Sequence, residues 1–235
     1  IILIITIIII VLIFAICAII YNQLVWRKTI KIPKFIEKMI AGNEMPDKYG
    51  ELAKKAEKNF KSLQLESVEL TPNDGAKLKA RILIPKISNG RLILACHGAR
   101  SHGTGEFAFM SDWFYKNGYT VIMPDHRGCG ESDGKYMGYG LHESNDTFLW
   151  LDYAKKRFGN MPVFLLGVSM GAATVLMMND RLENYDNVKG TVADCSYTSA
   201  WDEFSYQMKT SFHLPNFPIL HICNLYNKIL TGFSF

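Results

Sequence analysis

The sequence predicts an α/β protein: a mostly parallel sheet flanked by helices on both faces, with an N-terminal transmembrane helix ahead of it. Three observations lead there. Short apolar runs such as Arg91 to Cys96, Tyr119 to Met123 and Val163 to Leu166 lack the alternation of a half-exposed strand, so they read as strands buried on both sides. Segments with helical spacing separate them, which calls for a parallel sheet with crossover helices. The loops rich in glycine and charge follow the ends of those runs, where open α/β sheets bind ligands.

The elements follow in order. Ile1 to Ile20 is apolar apart from Thr6 and carries no charge. Twenty such residues suffice to cross a hydrocarbon core of roughly 30 Å as a helix. Ala15-Ile16-Cys17-Ala18 is a poor cleavage site, so residues 1–21 read as an uncleaved anchor rather than a signal peptide. Residues 22–64 form a basic juxtamembrane linker. Arg27, Lys28, Lys31 and Lys34 follow the span at once, which favours a cytoplasmic location for what comes next. Pro33 to Leu63 reads as helical, with Leu52, Ala56, Phe60 and Leu63 at helical spacing and Glu51 four residues before Lys55. The linker's lysines suit a solvated face, or contact with anionic headgroups.

Residues 65–235 make the α/β domain. Glu66 to Leu70 and Lys77 to Ile84 are strands joined across Pro72-Asn73-Asp74-Gly75. Glu106 to Lys116 is a helix between two of the buried strands, and Leu141 to Arg157 a longer one. The strand Val163 to Leu166 leads into a helix over Gly171 to Met178, and Val188 to Ala193 is a further strand. From about residue 198 the pattern turns to cap-like helices, Trp201 to Met208 and Phe217 to Leu230.

Composition narrows the function. The net charge of +4 is concentrated between Arg27 and Lys61, and no basic stripe is interleaved with exposed aromatics, so no nucleic-acid partner is expected. The five cysteines are scattered, with neither a disulfide framework nor metal-ligand spacing; they read as small core residues, and no metal or other cofactor is expected.

The chemistry lies in Gly167-Val168-Ser169-Met170-Gly171, directly behind a buried strand and ahead of a helix. A serine that must stand clear of the sheet on a tight strand-to-helix turn needs neighbours without a Cβ two positions away on either side. Two further loops accompany it. One strand ends in His97-Gly98-Ala99-Arg100, the next in Asp125-His126-Arg127-Gly128-Cys129-Gly130-Glu131-Ser132-Asp133-Gly134. Together these resemble the oxyanion loop, the D-x-R-G-x-G-x-S-x-G loop and the nucleophile elbow of the α/β-hydrolase superfamily. Within it, the chain is most similar to membrane-anchored bacterial hydrolases of the serine aminopeptidase S33 type, over roughly residues 66–235.

The resemblance implies roles. Ser169 would be the nucleophile, with the backbone N–H groups of Met170 and Ala99 as oxyanion donors. Gly98, Gly167 and Gly171 would allow the close approaches, and His97 would brace its loop. His126 and Arg127 would stitch loops together, Asp125 would accept N–H bonds from the glycine-rich turn, and His102 would be a loop residue at the pocket. Cys96 and Cys195, near strand ends, read as packing residues.

A serine hydrolase also needs a histidine held by a carboxylate. In this fold both follow the nucleophile in the chain. Here only His213 and His221 do, and both fall in the cap-like helices. Asp194 ends a strand and is the one candidate acid, although its loop, to Thr198, has an alternative role in shaping the pocket. The first residue is Ile rather than Met, and a helix-like run ends at Thr231-Gly232 with no strand after it. The expectation is therefore a fragment lacking the last strands: nearly inactive by itself, poorly soluble, and in its full form a membrane-anchored hydrolase of an ester, thioester or small amide. Its substrate would be a small molecule or a short acyl or peptidyl group, met by Arg100 to Phe107, Tyr136 to His142 and the aromatic-rich Tyr197 to Leu220. The competing expectation is a non-catalytic scaffold of the same fold.

Overall fold

The computed structural model describes residues 1–31 and 47–235. Part of the helix expected from Pro33, and Lys34 of the basic flank, lie outside the described residues. The chain divides into two compact units, 45–197 and 1–44 with 198–235.

The larger unit opens with helix α1 (Asp47–Lys61) and a hairpin, β1 (Leu65–Leu70) and β2 (Leu78–Leu83), paired antiparallel. Its turn closes where expected, Gly75 donating to the Pro72 carbonyl at 2.9 Å. Then come β3 (Leu92–Cys96), α2 (Gly103–Lys116), β4 (Thr120–Pro124), α3 (Leu141–Phe158), β5 (Val163–Val168), α4 (Met170–Met177) and β6 (Val188–Asp194). The sheet order is β1-β2-β4-β3-β5-β6; β2 runs antiparallel to β4, and β4, β3, β5 and β6 are parallel.

Alternation along β3 divides the core. Leu92, Leu94 and Cys96 point to one face with Trp150, Leu151 and Val175 from α3 and α4. Ile93 and Ala95 point to the other with Phe107 and Phe114 of α2. Burial on both sides is why these strands read as unbroken apolar runs. The edge strand β6 differs, leaving Val192 exposed.

Two boundaries differ instructively from the sequence reading. α2 starts three residues before Glu106, because His102 caps it, Nδ1 accepting the Gly105 amide at 3.0 Å. Gly103, a poor helix former on propensity, is needed there: a Cβ would stand 2.6 Å from the Met123 carbonyl oxygen. β5 runs two residues past Leu166, through Gly167 and Val168, which pair with Ala193 and Asp194 of β6. Cys96, Cys129, Cys17 and Cys223 are buried; Cys195 is exposed, against the expectation that it packs.

The smaller unit consists of helices α5 (Ile2–Val25), α6 (Ala200–Thr210) and α7 (Ile219–Thr231). α5 is long and apolar enough to cross a membrane. Its last turns pack on α7, burying Cys17, Tyr21 and Val25.

Candidate active site

The chain reverses its direction of growth at β3: β4 lies on one side of it and β5 on the other. The loops after β3 and β5 therefore lead to helices on opposite faces, and in open α/β sheets such a switch point is where ligands bind. His97 to Arg100 follow β3, Asp125 to Gly134 follow β4, Ser169 follows β5 and Asp194 ends β6, so all four segments lie at one edge of the sheet, the carboxyl ends of its parallel strands.

Ser169 adopts φ 52°, ψ −114°, in the left-handed half of backbone space. Such a conformation costs a non-glycine residue about 1–3 kcal/mol and persists only where the surroundings impose it. Here the Ser169 amide donates to the Asp194 carbonyl at 2.9 Å, and its carbonyl accepts from Ala173 at 3.1 Å. A Cβ on Gly167 would fall onto the Gly171 carbonyl, and one on Gly171 onto the Cys96 carbonyl. A serine at a helix N-cap ordinarily bonds to a first-turn amide; Ser169 makes no such bond, so its hydroxyl is not consumed in capping.

Strand register brings the oxyanion loop alongside. Cys96 pairs with Gly167, so the residues after Cys96 rise beside those after Gly167. A methyl group on Gly98 would stand 3.5 Å from the Ser169 Cβ and 3.6 Å from a carboxylate oxygen of Glu106. Among the described residues of this unit, Arg100 (φ 62°), Tyr139 (φ 51°) and Cys195 (φ 49°) are the other left-handed non-glycine residues, all in loops.

His97 is clamped at both ring nitrogens. Nε2 accepts the His126 amide at 2.9 Å, so the ring proton belongs on Nδ1, which donates to the Gly98 carbonyl at 2.7 Å. Burial pushes its pKa down, opposed by the Gly98 carbonyl and by the charges of Asp125 and Glu106. His126, its ring centroid 4.4 Å from that of His97, is held well below the usual range by burial and by His97 itself. The His97 ring is thus a neutral brace; the buried His126 ring packs against it, with its Nε2 unpartnered.

The neighbouring loop is stitched by carboxylates. Asp125 accepts from Gly103 at 2.8 Å and from Glu131 at 2.7 Å, joining the start of α2 to the glycine-rich turn. Arg127 makes a two-bond fork to Asp146 (2.9 and 2.8 Å) and a third bond to Asp74 (2.6 Å), and these carboxylates push its pKa up. Burial holds the Cys96 thiol up at about 12 and that of Cys129 at about 11, so neither is a ready thiolate.

Asp194 ends β6 with an exposed side chain, its carbonyl bonded to the Ser169 amide. Among the described residues no imidazole is hydrogen-bonded to Ser169 or to the Asp194 carboxylate. His213 and His221 lie in the smaller unit.

Comparison with known proteins agrees with this architecture. Residues 88–215 match the family model described as "Serine aminopeptidase, S33". The chain belongs to that family, within the α/β-hydrolase superfamily. It is 28% identical over 142 residues to the uncharacterized protein YqkD of Bacillus subtilis (strain 168), covering 60% of this chain and 46% of that protein. It is 32% identical over 106 residues to the monoglyceride lipase of Homo sapiens, covering 44% and 35%. The chain thus spans less than half the length of these curated relatives. The fold is that of the Pyrococcus furiosus esterase Pf2001, with a TM-score of 0.58 at 23% identity, covering 74% of this chain and 64% of that one.

The sequence reading gave no particular role to two groups near this edge. Glu143 is fully buried and accepts the amides of Gly138 (2.7 Å) and Gly140 (2.9 Å), holding the loop into α3. Its spacing, three residues after Gly140, was a legible capping signal. Glu106 reads in the sequence as an ordinary first-turn acid; only folding brings it beside Gly98.

Proposed function

We propose that this hydrolase works by acyl transfer through Ser169, on an ester, thioester or small amide of a small molecule. The observation that carries this reading is the strained, uncapped Ser169 wedged between two glycines that tolerate no Cβ, with Gly98 against it. A scaffold has no use for such a turn. In the proposed step the Ser169 Oγ bonds to the substrate carbonyl carbon, its proton passes to a base, and the carbonyl π electrons move onto oxygen. The Met170 and Ala99 N–H groups supply the oxyanion site; a donor of this kind is worth about 3 kcal/mol. Collapse of the intermediate expels the alcohol, thiol or amine, and water then frees the acyl group.

Ester substrates are favoured by the relatives, a lipase and an esterase by name. His97 is held at both ring nitrogens and no imidazole is hydrogen-bonded to Ser169 among the described residues, so the chain alone is read as nearly inactive. Asp194, level with Val168 in the next strand, is the candidate acid. α5 anchors the hydrolase in a membrane, and Arg27, Lys28 and Lys31 beyond it favour the cytoplasmic side. The test is fluorophosphonate modification of the complete protein, with the adduct mapped by mass spectrometry. It is expected on Ser169 and absent from Ser169→Ala; an adduct that survives this change rules the nucleophile out.

A further inference from the structure

The space at Gly98 is bounded on one side by the nucleophile and on another by a carboxylate. A Cβ placed there would lie 3.5 Å from the Ser169 Cβ and 3.6 Å from a Glu106 carboxylate oxygen, both ordinary contacts. Gly98 thus leaves a methyl-sized opening between the two groups, and those distances put the carboxylate oxygen no more than about 7 Å from the Ser169 Cβ.

A carboxylate in the first turn of a helix is commonly engaged by first-turn amides. In α2 that role is filled by others: His102 Nδ1 accepts the Gly105 amide at 3.0 Å, and Asp125 accepts the Gly103 amide at 2.8 Å. Glu106 is half-buried, and among the described residues no group is hydrogen-bonded or ion-paired to its carboxylate. Such a group has given up part of its hydration with no protein donor in exchange, so a positive charge brought by a ligand is favourable there.

Neighbouring charges do not cancel it. Glu106 and Asp125 both act on the His97 ring as negative charges. Asp125 is engaged by the Gly103 and Glu131 amides, whereas Glu106 has no such partners. Arg100, the guanidinium of the oxyanion loop, interacts with Cys129 and Tyr139 on the other side of that loop.

We infer that Glu106 is a specificity-determining residue: it favours substrates that carry a cationic group within a few bonds of the scissile carbonyl, and disfavours those that carry an anionic one. This rests on the reading of Ser169 as the acylating nucleophile. One charge pair about 5 Å apart in a half-exposed setting changes the rate of capture by about tenfold.

The test compares three fluorophosphonate probes on the complete protein, equal in length and ending in a trimethylammonium, a tert-butyl or a carboxylate group. The second-order rate of Ser169 modification, followed by mass spectrometry, is expected to be about tenfold higher for the ammonium probe than for the neutral one, and about tenfold lower for the carboxylate. Glu106→Gln removes the charge at nearly constant shape and strands no partner; it is expected to bring the three rates within about twofold of one another. Asp112→Asn changes the net charge equally, two turns along α2, and is expected to keep the spread. Equal rates in the wild type, a spread that survives Glu106→Gln, or one lost equally in Asp112→Asn overturns the inference and leaves Ser169 as the nucleophile. Failure of all three probes to modify Ser169 in a protein that still shows its melting transition overturns the acyl-transfer reading itself.

Discussion

The elbow glycines offer the sharpest quantitative test of the fold. In Gly171→Ala the new Cβ would meet the Cys96 carbonyl group and lie 2.8 Å from the His97 carbonyl oxygen. These are backbone atoms of the last residue of β3 and the one after it, in the middle of the sheet, so no side-chain rotation relieves the contact. The start of α4 must retreat by about 1 Å, forfeiting much of its dispersion contact with β3. Overpacking against a rigid neighbour costs about 3 kcal/mol. For a chain of this size that is roughly 6–12 °C in melting temperature. Gly190→Ala is the control: its nearest neighbour is the Phe164 ring at 3.5 Å, ordinary contact, and alanine in a strand is expected to match or exceed glycine in stability. The assay is thermal unfolding in detergent followed by tryptophan fluorescence, Trp113 and Trp150 lying in the same unit as the elbow. Gly171→Ala melting within about 2 °C of the wild type would refute the close approach of elbow and β3 on which the site depends.

Three further outcomes follow from the same structure. His97 and His126 have folded pKa values below their unfolded ones, so the unfolded chain binds protons first: stability is lost as pH falls below about 6.5, by up to about 1.4 kcal/mol per pH unit for each imidazole. Burial raises the pKa of Glu143 and gives the opposite slope, stability growing as pH falls toward its unfolded value; the difference between wild type and His126→Leu in urea titrations at several pH values isolates the histidine, and parallel curves would refute its burial as a neutral ring. Glu143→Ala strands two buried amides and is expected to cost about 2–3 kcal/mol by urea denaturation, whereas Glu143→Gln, which keeps an acceptor, is expected to lose less. Arg127→Lys cannot hold the fork to Asp146 while reaching Asp74, and a loss of about 2 kcal/mol in the same assay is expected; an unchanged midpoint would mean the fork contributes nothing.

Much of this was legible before folding. A fully buried strand must be apolar along its whole length, so β3, β4 and β5 announce themselves. A turn that excludes Cβ atoms demands glycine, so the elbow is visible as Gly167 and Gly171. Both are local demands of backbone and solvent on residue type. What tertiary structure alone decided is which distant groups meet: Cys96 level with Gly167, which carries Gly98 to Ser169; the His126 amide on His97 Nε2, which fixes its tautomer; and Glu106 beside Gly98. None of these pairings leaves a periodic or compositional trace, because a hydrogen bond constrains geometry at two points in space while leaving the intervening sequence free.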